Sequence, residues 1–190
     1  MFTHGYDTET TGLIERDFDL MHECQPRIVQ LASIVVDESG EVVDEFCAII
    51  KPEGFTIDND SIATKTHGIT QERAEAEGIS ILEALARFDA HKKMCGRRVA
   101  HNLSFDKKML AREYNLAGMP HSSEGIESFC TMFGSTKFCA IPGRYGPKWP
   151  KLTELHEKLF GVGFDGAHDA LQDLRATIRC FNELRRLGVM

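Results

Sequence analysis

Long hydrophobic runs are missing from this sequence. The longest apolar stretch, "IVQLASIVV", is broken by Gln30 and Ser33 and falls far short of the ~20 residues a bilayer-spanning helix needs. No basic segment leads into an apolar core at the start, so neither a secretory signal nor a membrane partner is expected. The six cysteines, at 24, 47, 95, 130, 139 and 180, contain no C-x-x-C pair. "HEC" at 22–24 is half a zinc site at most, because no second half follows at ligand spacing. Without an export signal the thiols are expected to be reduced and packed as small hydrophobes, in a cytoplasmic protein. An excess of basic residues is missing too. A net charge of −7 excludes a surface coated with cations for non-specific nucleic-acid binding, while leaving room for a small basic patch. Internal repeats and low-complexity tracts are absent.

What is present suits one core, and 1–190 reads as a single domain. "MFTHGYDTE" reads as a strand, though a thin one; Gly5 is expected to delay or bend it, and His4 to fill a sheet face. "RIVQLASIVVD" and "EVVDEFCAIIKP", joined by "ESG", form a hairpin over 28–51. A short helix is expected near 60–66, then a longer one over "GISILEALARFDAHKKM" with Ser80 as N-cap. "RRVAHN" reads as a strand, "SFDKKMLAREYNL" as a helix and "GIESFCTM" as a strand. The glycines and prolines of 133–150 mark a loop. Within it, Trp149 either anchors the loop on the core or joins Arg144, Lys148 and Lys151 in gripping a phosphate and stacking on a base. "PKLTELHEKLFG" and "DALQDLRATIRCFNELRRLG" are closing helices. The layout is α/β: a mixed β-sheet of a three-strand antiparallel meander plus parallel strands, flanked by helices.

Carboxylates stand out against this frame. On a strand Asp7 and Glu9 project to the same face. On the helix after "AHN", with Phe105 at zero degrees, Met109 and Leu110 fall at about 40° and 140° and Asp106 near 100°, inside the apolar stripe. A carboxylate there is costly unless paired. Glu113 lies at nearly the same angle, two turns on. In "GAHDALQDLRAT", Asp169 and Gln172 form a capping-box pattern, which leaves His168 before the helix and Asp173 in its first turns. Asp7, Glu9, Asp106 and Asp173 would repel one another if clustered without cations. As hard-oxygen ligands of two divalent ions they fit phosphodiester hydrolysis, with a histidine to deprotonate water.

"DTETTGL", "AHNLSFDKKML" and "AHDALQDLRAT", in that order, resemble the three motifs of the DnaQ-like exonuclease superfamily in its histidine-bearing DEDDh branch. The resemblance runs from about residue 6 to residue 182, with "HGIT" at 67–70 and "CTM" at 130–132 as further landmarks. It implies a ribonuclease H-like fold and a metal-dependent 3′–5′ exonuclease releasing 5′-mononucleotides from 3′ ends of DNA. Asp7, Glu9, Asp106 and Asp173 would hold two Mg²⁺ or Mn²⁺ ions, and His168 would be the general base. Thr10, Thr11, Gly12 and Leu13 would meet the terminal nucleotide. Asn102 and Phe105 match positions near substrate; Asn102 also reads as a turn or cap residue, and Phe105 as helix packing. The implied partners are single-stranded or frayed 3′ ends, DNA favoured over RNA; a polymerase or a second copy of the chain is not readable. The alternatives are an exoribonuclease with the same site and a non-catalytic, polymerase-associated subunit. Because the sequence stops just after its last helix, a freestanding enzyme or an excised domain is expected.

Overall fold

The computed structural model describes residues 1–121 and 125–190. Its centre is a five-stranded sheet built from β1 (Thr3–Thr10), β2 (Ile28–Val36), β3 (Val42–Ile49), β4 (Arg97–Ala100) and β5 (Glu127–Cys130). The spatial order is β3-β2-β1-β4-β5, with β1 to β3 antiparallel and β4 and β5 parallel to β1. Helices α1 (Ile62–His67), α2 (Gln71–Glu77), α3 (Ile81–Met94), α4 (Leu103–Leu116), α5 (Thr131–Cys139), α6 (Leu152–Phe160) and α7 (Ala170–Arg186) surround it. The ribonuclease H-like, mixed-sheet arrangement expected from the sequence is what forms.

Two clusters cover the two faces. Tyr6, Leu31, Leu85, Phe88, Met109, Leu110 and Tyr114 pack between the sheet and α3 with α4. Ala32, Ile34, Val36, Val99, Leu174, Ile178 and Phe181 pack between the sheet and α7. Covered on both sides, β2 is buried from end to end, which explains why it reads as an almost unbroken apolar run. Among the described residues no helix is long and apolar enough to cross a membrane. All six cysteines are free.

The first strand is neither late nor bent. It runs from Thr3 to Thr10 at the centre of the sheet with no irregularity at Gly5, its one register shift against β2 falling at Glu9/Thr10. Gly5 is there for space: a Cβ at this position would stand 2.6 Å from Ile178 Cδ1 and 2.9 Å from Leu174 Cδ1. The glycine lets α7 lie close against β1. His4 fills the opposite face, as expected, its Nε2 2.7 Å from Ser33 Oγ, which in turn lies 2.8 Å from His91 Nδ1. Burial and the neighbouring positive groups lower its pKa to about 3, so it stays neutral.

Capping matches the sequence closely. Ser61 and Ser80 accept from Thr64 and Glu83 N–H groups and start α1 and α3. Asp169 accepts from the N–H groups of Leu171 and Gln172 at the start of α7. Gln30 completes that cap from the neighbouring strand: its Oε1 accepts from Ala170 N and its Nε2 donates to Asp169.

The region 133–150 departs from the expected loop. The last strand stops at Cys130, and Thr131–Cys139 is helix α5. Thr131 and Ser135 are fully buried on its inner side, so tertiary packing overrides a locally weak signal. Beyond it Pro142–Gly143 (β6) pairs with Gly146–Pro147 (β7). Trp149 does not anchor this segment on the core, being 59% exposed.

Candidate active site

The site forms where β1 and β4 part. Their parallel pairing covers only Thr3 to Gly5, while β1 continues to Thr10 against β2 alone. The backbone beyond Gly5 therefore lacks a strand partner on the β4 side. Asp106, in the first turn of α4, fills the gap: its Oδ1 accepts from Thr8 N at 3.1 Å and from Thr8 Oγ1 at 2.8 Å. Asp106 is only 3% exposed, and these donors are what make a carboxylate tolerable in the apolar stripe.

Glu113, at nearly the same wheel angle, has a different partner. Its two oxygens accept from Arg27 Nε at 2.9 Å and Nη2 at 3.0 Å, and Oε1 also accepts from Ile28 N. It is a neutralised structural pair, while Asp106 faces other acids.

Asp7 and Glu9 point to the α7 face together with Gly5, following strand alternation. Asp173, one turn into α7, approaches them from that face. The residue before the helix cap, His168, takes a left-handed backbone with φ of 73°. That turn lets its N–H donate to Asp173 Oδ2 at 3.2 Å and sets its ring on the exposed rim. Ligand atoms from Glu9, His168 and Asp173 all lie within 4.8 Å of one another.

Electrostatics mark the cluster as unbalanced. Asp7 is held well above the ordinary carboxylate range by burial first, then by Asp106, Asp173 and Glu9. Glu9 is pushed up to about 8 by burial and by Asp173, Asp106 and Asp169. Asp106 rises to about 7 through burial, against the lowering effect of the Thr8 donors. Asp173 is raised by burial, partly offset by His168. Asp173 Oδ1 is buried with no hydrogen-bond partner. An orphaned carboxylate oxygen among four mutually repelling acids fits a hard divalent cation such as Mg²⁺ or Mn²⁺.

Beside the carboxylates lies an open cavity of about 560 Å³. Thr8 to Leu13 form one wall, with Phe105 beside them. Thr10 and Thr11 are tied down: Thr10 Oγ1 donates to Gly12 O, and Thr11 exchanges two hydrogen bonds with Arg27. Leu13 stands 81% exposed, and Phe105 both packs on the core and lines the cavity. Asn102 adopts a left-handed backbone, φ 66°, and makes the turn into α4 without a side-chain cap bond. Asn102 lies outside this cavity, in the depression next to it.

A further wall is one that the sequence motifs do not assign to the site. It comes from α1, where Ile62, Ala63, Thr66 and His67 line the cavity. Ile62 is 86% exposed, an apolar residue with no core role. The signal available in the sequence is "HGIT", whose histidine and following turn close this helix.

The fold and this acid cluster fit a nuclease, and the chain belongs to the exonuclease family RNase_T, whose pattern it matches over residues 5–181. A PolC-type DNA polymerase III of Staphylococcus saprophyticus is 30% identical across 97% of this chain, which spans only 12% of that polymerase. Exonuclease I of Methylocaldum szegediense superposes with a TM-score of 0.74 at 21% identity, over 97% of this chain and 40% of that one. The zinc-bound E. coli exonuclease I complex with single-stranded DNA gives 0.76 at 20% identity, over 97% and 40%. The nuclease domain of 3′hExo, a DEDDh family member bound to rAMP, gives 0.75 at 19% identity, over 99% and 93%. The chain thus corresponds to well under half the length of the polymerase and exonuclease I relatives, and to nearly all of the 3′hExo domain.

Proposed function

We propose that this chain is a 3′–5′ exonuclease that hydrolyses the terminal phosphodiester of DNA and releases 5′-mononucleotides, acting in the cytoplasm on unpaired or frayed ends. The observation that carries this reading is the convergence of four proton-hungry carboxylates and one rim histidine beside an open, partly apolar cavity.

Asp7, Glu9, Asp106 and Asp173 would hold two divalent ions, Mg²⁺ or Mn²⁺. Bound there, such ions would supply the positive charge that an in-line displacement at phosphorus needs on its attacking and leaving oxygens. Leu13 and Ile62, both apolar, exposed and lining the cavity, offer their surfaces to the terminal base. The backbone of Thr10 to Gly12, fixed by the Thr11–Arg27 exchange, presents polar groups to the terminal sugar. His168 takes the proton of the attacking water; the new P–O bond forms as the bond to the upstream 3′ oxygen breaks. Its exposure leaves the ring free to pass that proton to solvent.

DNA is favoured because the relative at 30% identity is a DNA polymerase and the E. coli neighbour was bound to single-stranded DNA. The polymerase relative also makes a replication setting the first to examine. The deciding experiment uses matched DNA and RNA oligonucleotides labelled at the 5′ end, single- and double-stranded, with and without Mg²⁺ or Mn²⁺. Metal-dependent shortening from the 3′ end, lost in Asp7→Asn and Asp173→Asn, is expected. Retained hydrolysis in purified Asp7→Asn would end the mechanism, and a clear preference for RNA would make the chain an exoribonuclease.

A further inference from the structure

We propose that a trough leading away from the terminal cavity binds the unpaired strand just 5′ of the nucleotide removed, with Trp149 as a base-stacking platform and Arg16 and Lys108 as phosphate-binding cations. The proposal rests on the nuclease reading above and names the part of the substrate that the carboxylate site leaves unassigned.

The trough is continuous. The terminal cavity shares Leu13 and Phe105 with a depression of about 310 Å³. That depression shares Arg16, Asn102, Lys108 and Trp149 with a further one of about 500 Å³, which ends at Phe133. Phe133 and Trp149 meet edge to face, ring centroids 5.0 Å apart, while 46% and 59% exposed. Two large aromatics paired with each other, half in water and outside the core, form a surface suited to a flat apolar partner.

Both walls are held in place. On the Trp149 side, His101 is the latch: its Nε2 lies 3.1 Å from the Pro150 carbonyl and its Nδ1 2.9 Å from the Thr131 hydroxyl. The imidazole therefore ties the residue after Trp149 to the start of α5, two residues ahead of Phe133. On the Arg16 side, Gln25 is 3% exposed and clamps the preceding loop, accepting from Glu15 N and donating to the carbonyls of Glu15, Phe18 and Asp19. Arg112 adds a bond to the Leu20 carbonyl.

Charge completes the argument. In a chain of net charge −7, Arg16 and Lys108 make no ion pair among the described residues, and both line the trough. Glu15 is the acidic side chain on the same wall, at the end away from the carboxylate site. Two cations without ion-pair partners lining the same depression as an exposed aromatic face supply what a single strand presents, phosphates and bases. A base stacked on Trp149 has left its duplex neighbours, so the trough selects unpaired 3′ ends.

Trp149 is the single tryptophan of the chain, so its fluorescence reports on this position alone. Oligo-dT with phosphorothioate terminal linkages, added with Mg²⁺, should quench that emission, while an abasic strand carrying the same phosphates should not. In turnover, wild-type KM should fall as oligo-dT lengthens from two nucleotides to five. Trp149→Ala should flatten that dependence, raising KM about tenfold at the longer length, and Trp149→Phe should restore most of it. Arg16→Gln with Lys108→Gln should lower the slope of log affinity against log salt by about 0.7 for each phosphate no longer neutralised. Equal quenching by the abasic strand, or an unchanged length dependence in Trp149→Ala, overturns the trough. If the wild type releases no mononucleotide from any length, the nuclease reading fails instead, and the quenching comparison, which needs no turnover, still decides the trough.

Discussion

Thr8 gives both its backbone N–H and its hydroxyl to one oxygen of Asp106, at 3.1 and 2.8 Å. One residue of the central strand thereby fixes a carboxylate delivered by a helix nearly a hundred residues later. Thr8→Val keeps the shape and the backbone donor but removes the hydroxyl. Asp106, already raised to about 7 by burial, then lacks one of the hydrogen bonds that lower it and titrates still higher. The acid limb of the pH–rate profile should move upward. The metal concentration for half-maximal activity should rise severalfold near neutral pH and recover in alkali, as a Mn²⁺ titration at several pH values would show.

Without cations the acid cluster dominates the pH dependence of stability above about pH 6.5; below that, buried His4 and His101, lowered to about 3 and about 4, act with the opposite sign. Asp7, Glu9, Asp106 and Asp173 all bind protons more tightly folded than unfolded. These carboxyls hold extra protons in the folded state, and between about pH 6.5 and about pH 8, where the histidines no longer oppose them, stability falls as pH rises. In chelator, Tm should drop from mildly acidic to mildly alkaline pH. Mg²⁺ or Mn²⁺ should restore it, by more at the alkaline end. A metal-induced gain in Tm that is equal at both ends would mean that the carboxylates are not where the cations bind.

His168 sits within 4.8 Å of ligand atoms on Glu9 and Asp173, yet on an exposed rim. As a base for water, its loss in His168→Ala should lower kcat by about 10²–10⁴ with metal affinity nearly unchanged. Calorimetric titration separates the two roles, because a large fall in affinity would make the imidazole a ligand.

Gly5 sets the distance between the strand bearing Asp7 and Glu9 and the helix bearing Asp173. Gly5→Ala places a methyl 2.6 Å from Ile178 Cδ1, and overpacking of this kind costs about 1–3 kcal/mol. Activity should fall further than stability does, since Leu174, the other side chain displaced, adjoins Asp173. Adding Ile178→Val should recover part of both, read by urea denaturation and by initial rates.

Much of this is legible in the residues. The order of the five sheet strands and of α1, α3, α4, α6 and α7, the Ser80 cap and the placing of His168 outside α7 follow from local chemistry that the fold does not override, while α2 and α5 do not. The ambiguity between Asp106 and Glu113 is not resolvable by periodicity, since both lie on the buried stripe. It is settled by long-range partners, Thr8 for one and Arg27 for the other. Gly5 looks like a flaw in a strand because the helix that needs its space is coded far away. Helix α5 escapes a local reading for a related reason. Gly134 reads locally as a breaker, yet it lies inside the helix, whose buried face is set by packing coded elsewhere in the chain. The α1 wall stays hidden because an exposed Ile62 carries no periodic signal at all.

Asp7 and Glu9 belong to the first strand and Asp173 to the last helix, and this has a consequence for how the molecule is made. During synthesis the strand leaves the ribosome early, while its partner helix follows on the order of ten seconds later at ordinary elongation rates. During that interval the nascent chain carries Asp7 and Glu9, joined partway by Asp106, without the helix that brings Asp173. If the proposed site needs Asp173, hydrolysis is expected to begin only once α7 docks, so the order of translation itself would delay the first cut.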